Sequence, residues 1–232
     1  MSRRVATLFS GGKDSTYSLH WAILQGMEVS CLITINPRAR DSWMFHRPGL
    51  GISRLQAQAL GIPQIFMESS GIKEEELKDL KKALEKAIND YGIEAIVVGA
   101  LLSDYQRMRV VLVAEELGLK VFTPLWRINQ EKYMRDLVRS GFKILVVSIS
   151  TYGVPKSIVG KVLDEKLVEF IINRAKSYKF NPAFEGGEAE TLVLDAPLFK
   201  ERLVVEGKVV ELSEFEAEFI IERAWLEPKF KH

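Results

Sequence analysis

Six consecutive residues, Ser10-Gly11-Gly12-Lys13-Asp14-Ser15, follow directly on the apolar run Val5–Phe9 and precede a helix-like stretch. Paired glycines allow backbone N–H groups to approach an anion closely. A helix that starts there adds N–H donors and the positive end of its dipole. Lys13 brings a mobile positive charge, and Ser10 and Ser15 bring hydroxyl donors. Asp14 is the odd member, because a carboxylate beside a phosphate needs a reason, and Mg²⁺ between the two supplies one. A plain strand–helix turn with Asp14 or Ser15 as N-cap is the competing reading. The spacing is not that of the G-x-x-x-x-G-K-[ST] loop, nor of the G-x-G-x-x-G dinucleotide fingerprint.

Two further stretches carry chemistry. In Ser103-Asp104-Tyr105-Gln106-Arg107-Met108-Arg109, Ser103 and Gln106 have the spacing of a capping box. Helical stepping back from Val110, Val113, Ala114 and Leu117 puts Gln106 and Arg107 on the apolar face at the helix start. An arginine there needs an anion. Arg109 points elsewhere, to the surface or another loop. In Phe184-Glu185-Gly186-Gly187-Glu188-Ala189-Glu190-Thr191, three carboxylates surround two glycines. They form either a solvated turn or a receptor for ammonium, a quaternary ammonium group or Mg²⁺, with Phe180 and Phe184 available for cation–π attraction.

The elements that must hold these residues alternate through the first half. Strand-like runs at residues 4–10, 27–35, 62–69, 93–100 and 119–125 alternate with helix-like segments. The longest helix puts Leu77, Leu80, Leu84, Ala87, Ile88 and Tyr91 on one stripe. This order predicts an α/β layer structure with a mainly parallel sheet. After Trp126 the rhythm loosens to α+β, giving expected domains at 1–125 and 126–232. There the pattern predicts a helix at 131–141, a strand at 142–150, a helix at 164–177 and strands at 191–199 and 201–212. Val204–Glu211 reads as a hairpin around Gly207, and residues 214–225 read as a last helix.

Composition removes several classes. Of the 232 residues, 32 are Lys or Arg and 31 are Asp or Glu, so no global charge argues for nucleic acid or an anionic membrane. The single cysteine, Cys31, lies in an apolar run and reads as a buried structural thiol. It permits no intrachain disulfide and no four-cysteine zinc site. No apolar run approaches the roughly 20 residues of a membrane span, and the N-terminus lacks a signal-peptide pattern, so a cytoplasmic location is expected. His20, beside Trp21 on the first helix, reads as packed. His46 sits in a loop and stands evenly between site and scaffold.

Ser10–Ser15 resembles the pyrophosphate-binding loop (PP-loop) of the N-type ATP pyrophosphatases. That resemblance implies a five-stranded parallel sheet of the adenine nucleotide alpha hydrolase (HUP) type, strand order 3-2-1-4-5. In such a sheet the ligand crevice lies between strands 1 and 4. The segments SGGKDS, MFH, LQAQALGIP, VVGALLSDYQRMR, SIVGKVLD and EGGEAETLVLDAPLF, in order, are similar to the diphthine–ammonia ligase (diphthamide synthetase) family of the archaeal, single-module kind. That family usually has glycine at the position of Phe184 and an aromatic residue at that of Ala189.

The resemblance implies ATP and Mg²⁺ as cofactors. It implies diphthine on translation elongation factor 2 as the acceptor, with free ammonia or ammonium as the nitrogen source. No membrane or nucleic-acid partner is expected, and a homo-oligomer is left open. Carried over residue by residue, Lys13, Asp14 and Arg107 are catalytic and Asp14 meets the metal. Ser10, Gly11, Gly12, Lys13, Asp14, Ser15, Gly99, Ser103, Asp104 and Gln106 hold the nucleotide. His46, Glu185, Gly186, Gly187, Glu188, Glu190 and Thr191 hold the substrate. The rival readings are a PP-loop enzyme acting on tRNA, favoured only by Arg38, Arg40, Arg47 and Arg54, and a non-catalytic adenine-nucleotide-binding protein.

Overall fold

A computed structural model describes residues 2–37, 51–69, 75–100 and 104–229. The segment with His46, Arg38, Arg40 and Arg47, together with Ser103 and the side chain of Gln106, lies outside the described residues. Two compact units divide the chain at Arg127/Ile128.

The first unit runs β1 (Arg4–Leu8), α1 (Lys13–Leu24), β2 (Glu28–Pro37), α2 (Ile52–Leu60), β3 (Gln64–Ser69), α3 (Glu75–Tyr91), β4 (Ala95–Val97), α4 (Asp104–Glu116) and β5 (Lys120–Phe122). All pairings are parallel, and the sheet order is β3-β2-β1-β4-β5. Residue alternation along the strands supplies both faces of the sheet. Ala6, Cys31, Ile33, Ile65 and Ile96 join Leu80, Leu84 and Ala87 of α3 and Val110, Val113 and Ala114 of α4 in one core. Val5, Ala95 and Val97 pack on the other face with Ala22 of α1. Cys31 is fully buried, as its apolar setting requires. Strand order reverses between β1 and β4, so the residues that follow their carboxyl ends come together.

The second unit runs α5 (Gln130–Arg139), β6 (Lys143–Ile149), α6 (Glu165–Tyr178), β7 (Ala189–Asp195), β8 (Glu201–Glu211) and β9 (Ala217–Pro228). Its four strands form an antiparallel sheet of order β7-β6-β9-β8. Asn129 and Asp164 cap α5 and α6 through their side chains.

Two sequence expectations fail here. The stretch 214–225 is not a helix: Ala217–Pro228 is a strand, laddered to β8 along its length with one register shift. Its Phe219, Ile220, Ile221 and Trp225 suit a pleated surface better than a helix face. Val204–Glu211 is not a hairpin either. Gly207 sits inside continuous β8 at a register shift, and a Cβ there would lie 2.1 Å from the carbonyl oxygen of Ile220. A lone glycine within a strand marks a bulge and a close backbone approach. The turn falls at residues 212–216, closed by N–H donation from Leu212 and Ser213 to the Glu216 carbonyl.

Candidate functional site

The Ser10–Ser15 segment divides between a tight turn and the first turn of α1. Gly11 adopts φ +83, the left-handed region that glycine enters without penalty. Gly12 is the N-cap in extended conformation and has no side chain with which to cap the helix. Neither Asp14 nor Ser15 is the cap; both lie inside the helix. The two serines brace the turn: their hydroxyls lie 3.1 Å apart, the Ser10 N–H donates to Ser15 Oγ at 3.2 Å, and Ser15 Oγ donates to the Gly12 carbonyl at 3.2 Å. Thr16 Oγ1 also donates to that carbonyl, at 2.8 Å.

Lys13 is only 2% exposed, and its Nζ donates to Asp14 Oδ2 at 2.7 Å. A lysine held at a helix N-terminus works against the helix dipole unless an anion is to join it. The carboxylate next to it offsets part of that cost.

Gly99, just past β4, comes so close to α1 that a Cβ there would lie 2.7 Å from the backbone carbon of Asp14 and 2.9 Å from the Ser15 nitrogen. The two chemistry-bearing connections of the first unit therefore touch backbone to backbone, at the reversal of strand order. Arg107, in the first turn of α4, lies with its guanidinium 4.5 Å over the Trp126 ring and 3.7 Å from Asp104 Oδ1. Its Nε is buried with no hydrogen-bond partner among the described residues, an open donor of the kind an anion satisfies. Arg109 is half-buried. His20 is packed, with Nδ1 at 2.7 Å from the Thr16 carbonyl.

Sequence reasoning missed Gln56. It is fully buried on α2, and its Nε2 donates to the Gly11 carbonyl at 2.9 Å, fixing the turn from a third element. The available signal was a glutamine four residues after Ile52, on the buried face of a short helix. Nearby, Thr34 Oγ1 donates to the Phe9 carbonyl at 2.6 Å and accepts from Gln64 Nε2 at 2.7 Å, tying β2 and β3 to the end of β1.

In the second unit, the acidic glycine segment folds on itself. Glu188 is 8% exposed and accepts from the Asn181 N–H at 2.9 Å and from the Gly186 N–H at 2.7 Å. Ser150 Oγ donates to the Gly187 carbonyl at 2.6 Å. Glu188 thus organises its loop, while Glu185, Glu190 and Thr191 are partly exposed and Gly186 and Gly187 are exposed. Phe184 is buried with φ +62, a left-handed backbone in which a bulky side chain is strained. Phe180 is buried as well. Among the described residues, no helix is long and apolar enough to cross a membrane.

Family comparison accounts for both units. Residues 3–121 match the diphthamide synthase N-terminal domain, and residues 129–227 match the diphthamide synthase C-terminal domain. The chain belongs to the diphthamide synthase family. Among relatives of this family, the diphthine–ammonia ligase of Schizosaccharomyces pombe is 34% identical over 97% of this chain. The chain spans only 40% of that protein's length. The human diphthine–ammonia ligase is 32% identical over 92% of this chain and 87% of its own length. The mouse enzyme of the same name is 33% identical, over 88% and 83%.

Proposed function

We propose that this chain is an ATP-dependent amide ligase. It converts the carboxylate of diphthine on translation elongation factor 2 to the amide of diphthamide, using ammonia and releasing AMP and pyrophosphate. The observation that carries the reading is the buried Lys13 in the uncapped first turn of α1, at the point where Gly99 meets Asp14.

In this mechanism Gly11 and Gly12 present backbone to the phosphates, with Ser10 and Ser15 as hydroxyl donors. Lys13 stabilises the charge that builds on the departing pyrophosphate. Arg107 offers its buried Nε to a phosphate oxygen at the other side of the strand reversal, where Asp104 and Gln106 complete the nucleotide contacts. The diphthine carboxylate attacks the α-phosphate, ammonia then attacks the acyl carbon, and AMP departs.

Asp14 is the residue that would hold Mg²⁺, which neutralises phosphate charge when bound. Among the described residues no group of three or more His, Cys, Asp or Glu side chains could hold an ion alone. A single carboxylate fits magnesium, which commonly shares its ligands with nucleotide phosphates and water. The second unit supplies the acceptor contacts, through Glu185, Glu190, Thr191 and the exposed glycines. Glu188 is assigned to shaping that loop.

The test is incubation with ATP, ammonium and elongation factor 2 in its diphthine form. The expected products are AMP and pyrophosphate in proportion to amide on the factor, read by ³¹P NMR and mass spectrometry. ADP and phosphate, or no nucleotide product, would overturn the proposal.

A further inference from the structure

Ile149, the last residue of β6, pairs with Ala189 on one side and Ala217 on the other. That register gathers three connections at one end of the antiparallel sheet: the turn after β6, the acidic glycine loop leading into Ala189, and the β8–β9 turn. Tyr152, in the first of these, is 64% exposed. Its ring centroid lies 5.3 Å from that of Phe215, in the β8–β9 turn, at 88°, and 5.4 Å from that of Tyr178, at the end of α6, at 74°. Phe215 and Tyr178 are each 39% exposed.

Three contacting aromatic rings held at solvent are an unfavourable use of apolar surface unless something covers them. The backbone is built to hold them. Gly153 has φ +93, and a Cβ there would come within 2.4 Å of Tyr178 Cβ, so only glycine lets this turn lie against Tyr178. Arg174 donates Nε to the Gly153 carbonyl at 2.8 Å and lies 4.4 Å over the Tyr178 ring. One ring of the cluster therefore already faces a cation, while much of Tyr152 remains bare.

Arg174 covers Tyr178 and Lys156 holds the Ser213 carbonyl, but the exposed charges next to Phe215 in sequence are carboxylates. Glu214 and Glu216 flank Phe215 and are exposed, and Glu211 is engaged by Lys156. Carboxylates around exposed aromatic faces attract cations and repel anions. A primary ammonium keeps its water, whereas a quaternary ammonium has no N–H to hydrate and is the cation that aromatic faces take best.

We propose that Tyr152 and Phe215 form a subsite for a quaternary ammonium group. The identity of its bearer rests on the ligase reading above: the trimethylammonium of diphthine, seated here beside the acidic glycine loop.

Choline and its neutral isostere 3,3-dimethylbutanol, titrated separately into the full chain and followed by ring-proton shifts and saturation transfer, test the subsite without any turnover. Choline should bind, and the isostere should give no response at the same concentration. Tyr152→Leu and Phe215→Leu should each weaken choline binding about three- to tenfold, with Tyr152→Phe retaining most of it. Equal responses to choline and the isostere, or wild-type choline binding by both leucine variants, would overturn the subsite. In ligase assays Tyr152→Leu should raise KM for the diphthine factor and leave kcat unchanged; an unchanged KM would overturn its role in substrate binding. Should the wild-type chain form no AMP with that factor while still selecting choline, the ligase reading falls and the subsite stands.

Discussion

Two glycine pairs flanked by charge, Gly11-Gly12 and Gly186-Gly187, have opposite structural logic. In the first, side chains from three elements brace the turn: Ser15 from α1, Gln56 from α2 and Ser10 from the turn itself. The charged residue, Lys13, is buried beside a neighbouring carboxylate at a helix start. In the second, the buried charge of Glu188 is consumed by backbone N–H groups of its own loop. One loop is held partly from outside, by Gln56 of α2, and buries a cation; the other folds around its own carboxylate. A glycine pair with a neighbouring charge thus says little about binding until the partner of that charge is known.

The largest expected effect separates the two directly. Lys13→Ala should lower the rate of AMP formation about 10²–10³-fold, the magnitude seen when one preorganised electrostatic contact is removed. The circular dichroism spectrum should stay unchanged. Glu188→Ala should act on stability instead. Loss of a carboxylate accepting two backbone N–H groups should cost about 2–3 kcal/mol in denaturant unfolding. Equal stability of the Glu188 variant with lost turnover would erase the contrast and make Glu188 a ligand contact.

Gly99→Ala forces a methyl group into the Asp14 backbone and should cost about 1–3 kcal/mol, read as a raised KM for ATP. Phe184→Gly relieves a left-handed backbone but removes a buried ring. Strain relief of about 1 kcal/mol against a cavity cost of about 3–5 kcal/mol predicts a net loss of stability.

The smallest effect belongs to Cys31, away from both loops. Burial first, and then the Asp90 carboxylate, push its thiol up to about 12. The fold therefore favours the protonated form relative to an unfolded thiol near about 8.5. The stability this contributes is full below the unfolded value and is lost as pH rises towards the folded one. The wild type should lose more melting temperature than Cys31→Ala over that alkaline range, and the native thiol should resist alkylation.

The first unit was legible because its signals are local and agree: apolar runs, helix stripes and a glycine turn after a strand, all repeated in one order. Lys13 could be read from that order alone, whereas Gly99 entered only through the family resemblance and the strand order it implies. Gln56 could not be read, because its role depends on α2 crossing back to the turn after β1, which no local pattern encodes. The β8–β9 region was misread for a related reason. Its alternation is interrupted at the Gly207 bulge, and a strand whose only justification is its partner looks like a helix when read alone. Glu188 was seen, but not its direction, since two glycines and three carboxylates leave open which group the loop folds around.

The contact between Gly99 and Asp14 joins residues far apart in the chain, one just past β4 and one in the first turn of α1, which meet only when β4 docks beside β1. The Ser10–Ser15 turn therefore reaches its final surroundings only once that non-local pairing has closed. An incompletely folded chain has the loop sequence but not the cradle. Nucleotide affinity should then report completed assembly of the first unit, and ATP in the growing cell would favour finished molecules over unfinished ones by mass action.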